Sequence, residues 1–375
     1  MTKVDQTRRL LMLLGGLVLA ALIVVAARWP KTQDGIVLGA AFPLSGSYAQ
    51  YGVVPRNAIE LAVARRLASG FPHRVRVHYE DTQLRPALAL SAVRKLIDIH
   101  HVPVIFGPAG SNESEVAGPF AQLRSVVMIS PSSTAAALSR VGPYFFRTIP
   151  SDTYEGTFMA RFVYRRGARR VGVFAVNDTG TKSLADAFRG EFLRLGGAVT
   201  GYVLGPKDTN DLRTQITSLR ASSPEAVFVM GYGNEIGVFL AQAQELGFRV
   251  PFYSAHPAEA PEVRTIAASG AEGLIFSSAT NPSTSGPARD FRDAYRRRYG
   301  EVPGEFGAEA YDAAMLVLDA IAAVGTTPER IRDHLHGVRG YEGASGTITF
   351  LPTGDVEKPI RAMTIRAGTV VPLDG

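Results

Sequence analysis

Four loops in this 375-residue sequence combine small and polar residues where an apolar run gives way to a helical pattern. Three of them offer hydroxyl groups and backbone N–H groups at the start of a helix, where the helix dipole and the unpaired amides favour an anion. Tyr48, Tyr51 and Tyr232 add apolar faces with a polar tip, which suit stacking over the body of a ligand. The predicted ligand is a small carboxylate. The four loops are PLSGSYAQYG (43–52), GPAGSNES (107–114), SPSSTAAA (130–137) and GYGNE (231–235).

Each of these residues also has a structural explanation that involves no ligand. Serine and threonine at the junction of a strand and a helix are caps more often than ligand contacts, so Ser111 and Thr134 taken singly fit capping. Tyr51 and Tyr232 taken singly fit packing in the core. Four such loops in the positions expected of a site favour binding.

Catalytic chemistry is not indicated by any motif. The sequence contains no nucleophile elbow, no Walker loop and no dinucleotide-binding fingerprint. Its seven histidines are scattered and lack the spacing of metal ligands. The chain is therefore predicted not to be an enzyme and to use neither a metal nor a cofactor, with an α/β hydrolase or a dehydrogenase as the alternative from another class.

The composition is that of an ordinary globular protein, with 46% hydrophobic and 20% charged residues. The net charge of +6 is spread along the chain and forms no basic stripe with interleaved aromatics, which argues against nucleic acid as a partner. The absence of cysteine excludes disulfides, thiolate nucleophiles and a cysteine for lipid attachment.

The N-terminus carries an export signal. Three basic residues precede the eighteen uncharged residues Leu10–Ala27, and Trp29 and Lys31 follow. This apolar run exceeds a usual signal sequence and just reaches the length that spans a bilayer, so a cleaved signal peptide and a retained inner-membrane anchor both remain open. In either case the body of the protein is predicted to be periplasmic or extracytoplasmic, with membrane contact only through an uncleaved N-terminal segment.

The elements that position the four loops alternate between strand and helix from Ile36 onward. The run Val37–Phe42 predicts a buried strand, and the pattern after it predicts a helix that begins at Pro55. Such alternation is typical of parallel sheets covered on both faces, which bind ligands at the carboxyl ends of their strands. The chain is predicted to close with two strands around the turn Thr353–Asp355.

The number of strands is too high for one sheet of ordinary size, so the chain is predicted to form two α/β lobes with a seam at RTIPSD (147–152). Residues 1–33 form the signal peptide or membrane anchor. Lobe 1 comprises residues 34–149 and 280–357, and lobe 2 comprises residues 150–279 and 358–375.

From about Ile36 to its end, the sequence resembles the leucine/isoleucine/valine-binding family of periplasmic solute-binding proteins, the receptors of branched-chain amino acid ABC transporters. The resemblance implies a type I periplasmic binding protein, in which two Rossmann-like lobes joined by a three-crossing hinge close on a ligand. It also implies an ABC transporter permease as the partner. The motifs that carry it are GAAFPLSGSYAQYG (39–52), YEDTQLRPALA (79–89), VIFGPAGSNES (104–114), MISPSST (128–134), FFRTIPSD (145–152), NDTGTKSLADAF (177–188), GAEGLIF (270–276) and GTITFLPTGDV (346–356).

The same resemblance assigns ligand contacts residue by residue. It places Tyr51 over the ligand, with hydroxyls from Ser111 and Thr134 and the backbone of Ser132 around an α-carboxylate and ammonium. Tyr232 reaches in from the second lobe. These positions fall in the four loops that the residue types alone single out.

Two positions depart from the family pattern. Thr179 and Gly180 stand where a Tyr-Gly pair is usual, and His256 stands where an acidic residue normally pairs with the ligand's ammonium. A neutral imidazole cannot replace a carboxylate as the partner of an ammonium, and a protonated one would repel it. One alternative is that a nearby glutamate (Glu235, Glu259 or Glu262) takes over. The other is a ligand without an α-ammonium, such as an aromatic or aliphatic acid or an amide, in which case His256 is itself a candidate ligand contact.

The predicted function is capture of a small amino acid, carboxylate or amide in a cleft between the lobes and its delivery to an ABC transporter. A membrane-anchored ligand sensor of the same fold is the alternative if Leu10–Ala27 is retained.

Overall fold

The computed structural model describes residues 35–279, 286–304 and 306–373. Strands and helices alternate along this part of the chain, in agreement with the sequence pattern. The strands described are β1 (Ile36–Phe42), β2 (Val75–Asp81), β3 (Val104–Phe106), β4 (Val127–Ser130), β5 (Phe145–Arg147), β6 (Arg170–Val176), β7 (Ala198–Gly205), β8 (Ala226–Met230), β9 (Phe252–Ser254), β10 (Ile275–Ser278), β11 (Tyr341–Gly343), β12 (Gly346–Ile348), β13 (Arg361–Arg366) and β14 (Thr369–Pro372). The α-helices described are α1 (Gln50–Ala68), α2 (Pro86–Asp98), α3 (Ser111–Leu123), α4 (Asp152–Arg165), α5 (Thr179–Arg194), α6 (Arg213–Ala221), α7 (Gly233–Glu245), α8 (Pro261–Ala267), α9 (Gly286–Tyr299), α10 (Gly307–Val324) and α11 (Pro328–His336).

The first sheet has five parallel strands in the order β2-β1-β3-β4-β5. Strand β1, which lies between β2 and β3, is buried along almost its whole length, as expected of a parallel strand covered on both faces. Helices α1 and α10 bury their apolar residues in the same core as this sheet. Because the strands are parallel, the loops after β1, β3 and β4 leave the sheet at one edge.

The second sheet has seven strands in the order β14-β13-β10-β9-β8-β6-β7. The five from β6 to β10 are mutually parallel, and β13 and β14 extend the sheet in antiparallel fashion. The loops after β6, β8 and β9 therefore also emerge at a common edge.

The apolar cores follow the two sheets. One large core combines the first sheet with residues of α9, α10 and α11. Two others cover the second sheet and include residues of β13. These cores are compatible with the two predicted lobes. The lobe boundaries, 34–149 with 280–357 and 150–279 with 358–375, stay a prediction.

Two local predictions were wrong. Helix α1 begins at Gln50 and not at Pro55, which lies inside the helix, because the turn that carries Tyr51 is already helical. The turn Thr353–Asp355 does not join two strands: only an isolated bridge between Phe350 and Val356 flanks it. The closing strand pair is instead β13 with β14.

No single helix among the described residues is long and apolar enough to cross a membrane. Helices α10 and α11 meet the length and composition criteria only as a pair, which is bent by 115°. The predicted signal or anchor, Leu10–Ala27, lies outside the described residues.

Candidate ligand-binding site

A cavity opens among the loops that follow strands of both sheets. It holds about 520 Å³ of space that protein atoms do not fill, part of it open to solvent. The lining residues are Tyr51, Leu84, Ala109, Gly110, Ser111, Ser132, Thr134, Asp152, Gly180, Thr181, Leu184, Met230, Gly231, Tyr232, His256, Pro257 and Phe306. They include all six residues predicted for the site, and the contact of those residues with a ligand stays a prediction.

Ser111 provides a hydroxyl donor at one corner of the cavity. It is the first residue of α3, and its Oγ accepts hydrogen bonds from the backbone N–H groups of Thr134 and Ala135, both at 3.1 Å. A serine oxygen that accepts two hydrogen bonds still has its own O–H proton to donate. At the N-terminus of a helix, such a donor suits a carboxylate.

The serine-rich loop after β4 is held in place by its own side chains. Ser130 Oγ donates to the carbonyl oxygen of Pro108 at 2.7 Å, and Ser132 Oγ donates to that of Ala109 at 3.0 Å. The Ser132 hydroxyl therefore braces two loops against each other. This arrangement is compatible with the prediction that Ser132 contributes its backbone to the site.

Aromatic rings form one wall of the cavity. Tyr51 and Tyr232 meet edge to face with ring centroids 5.6 Å apart. Tyr51 Oη accepts a hydrogen bond from the Gly233 N–H at 2.9 Å, and Tyr232 donates to Asp178 at 2.9 Å. Phe306, which the sequence analysis missed, completes the wall with a backbone φ of 64°, a left-handed conformation that is uncommon for a bulky residue.

Two acidic residues of α4, Asp152 and Glu155, lie buried beside the cavity. Glu155 accepts hydrogen bonds from the His256 N–H at 3.0 Å and from Ser277 Oγ at 2.6 Å, and its Oε2 lies 2.7 Å from His256 Nδ1. Burial favours a raised pKa for Glu155, but the charge and hydrogen bonds of His256, with the Ser277 hydroxyl, hold that pKa below its ordinary value. Glu155 is thus a carboxylate with a complete set of partners.

Asp152, which the sequence analysis also missed, lines the cavity and is fully buried. Neither of its carboxylate oxygens has a protein donor in good hydrogen-bond geometry. Burial raises the pKa of Asp152 to about 6, although the hydroxyls of Thr134 and Ser183 oppose this increase. A buried carboxylate in this condition is costly for the fold, which points to a role in binding.

The two sheets are linked across the cavity by direct hydrogen bonds. Tyr48 donates to Glu235 at 2.7 Å, and Asn112 donates to Asp178 at 3.1 Å. A β-carbon added at Gly180 would lie only 3.2 Å from Ser111 Oγ, so glycine allows α5 to approach α3 closely. The arrangement is that of a closed cleft.

Comparison with known proteins agrees with this architecture. Residues 35–369 match the model of a family described as periplasmic binding protein. The chain belongs to the periplasmic binding protein family. This match covers most of the chain, and the family's members are periplasmic binding proteins.

Two solved structures of such proteins are similar over most of their length. The leucine-binding protein LivK from Thermotoga maritima MSB8 is 29% identical with a TM-score of 0.85, covering 90% of this chain and 98% of that one. LivJ from Streptococcus pneumoniae, solved with isoleucine, is 28% identical with a TM-score of 0.83 and the same coverage. The predicted type I periplasmic binding protein fold is confirmed.

Relatives found by sequence are also named as Leu/Ile/Val-binding proteins. The Leu/Ile/Val-binding protein homolog 3 of Brucella melitensis is 25% identical over 86% of this chain and 89% of its own length. The Leu/Ile/Val-binding protein BraC3 of Rhizobium johnstonii is 26% identical over 90% and 93%, respectively. The proteins that this chain resembles are solute-binding proteins and not enzymes, and the predicted family is confirmed.

None of the three glutamates considered as replacements for the missing acid lines the cavity. Glu235 accepts hydrogen bonds from Tyr48 and from the Asp208 N–H at 2.8 Å. Glu259 accepts one from Ser278 at 2.9 Å. Glu235 and Glu259 thus have partners within the protein, and the alternative that one of the three glutamates takes over stays a prediction. Among the described residues, no group of three or more His, Asp or Glu side chains is arranged to hold a metal ion.

Replacing Ser111 with alanine is expected to lower the free energy of unfolding by about 2 kcal/mol, because two buried N–H groups lose their acceptor. Urea denaturation measures this change. Ser47→Ala is the matched control, since Ser47 is exposed and its contact with Asp208 is long at 3.4 Å. Equal effects of the two substitutions would contradict the bracing role of Ser111.

Proposed function

We propose that this protein is the extracytoplasmic receptor of an ABC transporter, and that its cavity captures a small amino acid or a related carboxylate or amide. Tyr51, Ser111, Ser132, Thr134, Tyr232 and His256 are the proposed ligand contacts. The observation that carries the proposal is the Ser111 hydroxyl, which has an O–H proton to donate at a helix N-terminus that faces an enclosed cavity. A carboxylate fits that donor, and the aromatic wall fits an apolar side chain.

The relatives support the same class of ligand. LivJ was solved with isoleucine, and the relative LivK is described as a leucine-binding protein. Branched-chain amino acids are therefore the first compounds to test. Delivery to a membrane permease is proposed on the family's role, with the closed lobes as the surface that the permease recognises.

Ligand binding is expected to raise the stability of the protein by roughly 2.7 kcal/mol at a hundredfold excess over the dissociation constant. Thermal melting of the full-length chain, purified in mild detergent, measures this gain. The panel contains the protein amino acids, their deaminated acids and their amides. If no compound raises the melting temperature, solute binding of this class is contradicted.

A membrane-anchored ligand sensor is the second candidate. It is favoured by the length of Leu10–Ala27 and by Trp29 and Lys31, which suit the membrane interface. Mass spectrometry of the protein isolated from whole cells tests whether the anchor is retained. A mature N-terminus near Ala27 removes the anchor and leaves the periplasmic receptor.

A further inference from the structure

The carboxylate of Asp178 lies outside the cavity lining and binds four donors. Its Oδ1 accepts hydrogen bonds from the Tyr232 hydroxyl at 2.9 Å and from the Gly180 N–H at 3.2 Å. Its Oδ2 accepts one from Asn112 at 3.1 Å and lies 3.4 Å from the ammonium of Lys207. Asn112 follows a strand of the first sheet, whereas the other three donors follow strands of the second. The Asp178 side chain, which is only 4% exposed, therefore joins the two sides of the cleft.

The ammonium of Lys207 also lies over two aromatic rings. Its Nζ is 4.7 Å from the ring centroid of Tyr48 and 4.9 Å from that of Tyr232, and the two centroids are 5.0 Å apart. Both distances from the ammonium are within the range of a cation–π contact. Tyr48 follows β1 of the first sheet, whereas Lys207 and Tyr232 follow β7 and β8 of the second. A single cation thus contacts an aromatic ring from each side of the cleft.

Acidic side chains from both sides of the cleft surround this cation. Glu235 is fully buried and accepts the hydroxyl of Tyr48 at 2.7 Å. Burial raises the pKa of Glu113, a residue of α3, to about 7; the charge of Lys207 opposes this increase, and that of Asp178 adds to it. Bringing Glu113 close to Asp178 costs electrostatic energy, which a nearby cation offsets. The charge of Lys207 therefore stabilises the arrangement in which the two sides meet.

Lys207 acts on the site from outside the cavity. The described lining residues include Tyr51 and Tyr232 but neither Tyr48 nor Lys207. Tyr232 is held from behind, because its hydroxyl is bound by Asp178 and its ring is covered by the Lys207 ammonium. Proteins of this fold close by a hinge motion, so the contact of Lys207 with Tyr48 is made when the two sides of the cleft come together. This contact opposes opening and leaves the open form unaffected.

We propose that Lys207 is a positioning residue for ligand capture, whose ammonium fastens the closed cleft to Tyr48 and holds Tyr232 in place behind the ligand. The inference rests on the proposed function. Because the contact with Tyr48 opposes opening, Lys207 governs how slowly a bound ligand leaves. A ligand enters the open form, in which this contact is not made, so the rate of association does not depend on it.

The test measures the rate constants of association and dissociation by surface plasmon resonance on the full-length protein in mild detergent. The probe is L-leucine or, if another compound of the melting panel binds more tightly, that compound. Lys207→Met keeps the length of the side chain and removes its charge. Dissociation is expected to become roughly tenfold faster, the effect of one cation–π contact in a partly buried site, while association stays within about twofold. Lys207→Arg keeps a cation that stacks on aromatic rings, so its rate constants are expected to stay within about threefold of the parent's.

A double-mutant cycle with Tyr48→Leu tests the contact across the cleft. Because Lys207→Met and Tyr48→Leu remove the same contact, the double variant is expected to release the ligand more slowly than the product of the two single effects requires. Lys95→Met is the control for the chemical change, since Lys95 is an exposed partner of Glu80. It is expected to leave both rate constants unchanged.

An unchanged dissociation rate in Lys207→Met overturns the inference while solute binding stands. A loss that falls on association instead also overturns it, since that result is expected of a residue that only shapes its own loop. Effects of Lys207→Met and Tyr48→Leu that simply multiply show that no contact joins the two in the bound form, and they overturn it as well. A protein that binds no compound of the panel contradicts the inference together with the proposed function.

Discussion

Replacing Arg147 with methionine is expected to lower the free energy of unfolding by about 3–5 kcal/mol, the range for breaking a buried ion pair from one side. The Arg147 side chain is fully buried, and its Nε lies 2.6 Å from an oxygen of Asp355. Its Nη1 donates to the carbonyl oxygens of Thr134 at 2.8 Å and Ala135 at 3.0 Å, and its Nη2 donates to Ser139 at 2.7 Å. Methionine fills much of the volume but satisfies none of these groups.

The same substitution is expected to weaken ligand binding. Arg147 ties the loop that carries Thr134 to Asp355, a residue 208 positions later in the chain. Without this tie, the loop loses the support that holds the Thr134 N–H toward Ser111. Urea denaturation gives the stability, and calorimetry with the best compound of the melting panel gives the affinity.

Arg213→Met is the control, because Arg213 is an exposed partner of Asp211 and Glu245 and such ion pairs contribute little. It is expected to leave the free energy of unfolding almost unchanged. The double variant Arg147→Met with Asp355→Leu is expected to recover part of the loss, since it removes the unpaired carboxylate. A loss in Arg147→Met of no more than about 0.5 kcal/mol, the ordinary size for a surface change, would contradict a central role for this side chain.

The gathering of the six predicted residues around one cavity follows from features that a sequence displays. Tyr51, Ser111, Thr134 and Tyr232 stand just after, or at the helix start following, runs that predict buried strands. Parallel strands present their carboxyl ends at one edge, so the loops that follow them meet. Composition and periodicity therefore sufficed to predict the parallel strands and the meeting of these four loops, whereas His256 was named from the family resemblance.

Asp152 and the partner of His256 could not be predicted in this way. Asp152 follows Pro150 at the start of a helix, where an acidic residue is ordinary and favours the helix dipole. Its unusual feature is burial without good donors, which depends on packing by distant parts of the chain. The contact of His256 with Glu155 spans 101 positions, and no local pattern indicates it. Glu235 looked available in the sequence because Tyr48, 187 positions away, could not be placed against it.

Asp152→Asn is expected to stabilise the ligand-free protein by roughly 2–3 kcal/mol at pH 8, although Asp152 lines the cavity. The pKa of this carboxyl is about 6 in the folded chain against an ordinary 3.8, and each pH unit corresponds to about 1.4 kcal/mol. Because the folded state holds this proton more tightly than the unfolded state does, ionisation of Asp152 costs stability. Asparagine has the same shape and no charge to bury. A cost of this kind is common at binding sites, where stability is exchanged for function.

The pH dependence separates this effect from a change in packing. The cost of the aspartate is complete above its folded pKa, shrinks as the pH falls from about 7 to 4, and vanishes once both states are protonated. The difference in unfolding free energy between Asp152→Asn and the parent should shrink over the same range. Urea denaturation from pH 4 to 8 measures this difference. An Asp152→Asn protein that is no more stable than the parent at pH 8, or a difference that does not depend on pH, would mean that the protein itself stabilises the ionised carboxyl group.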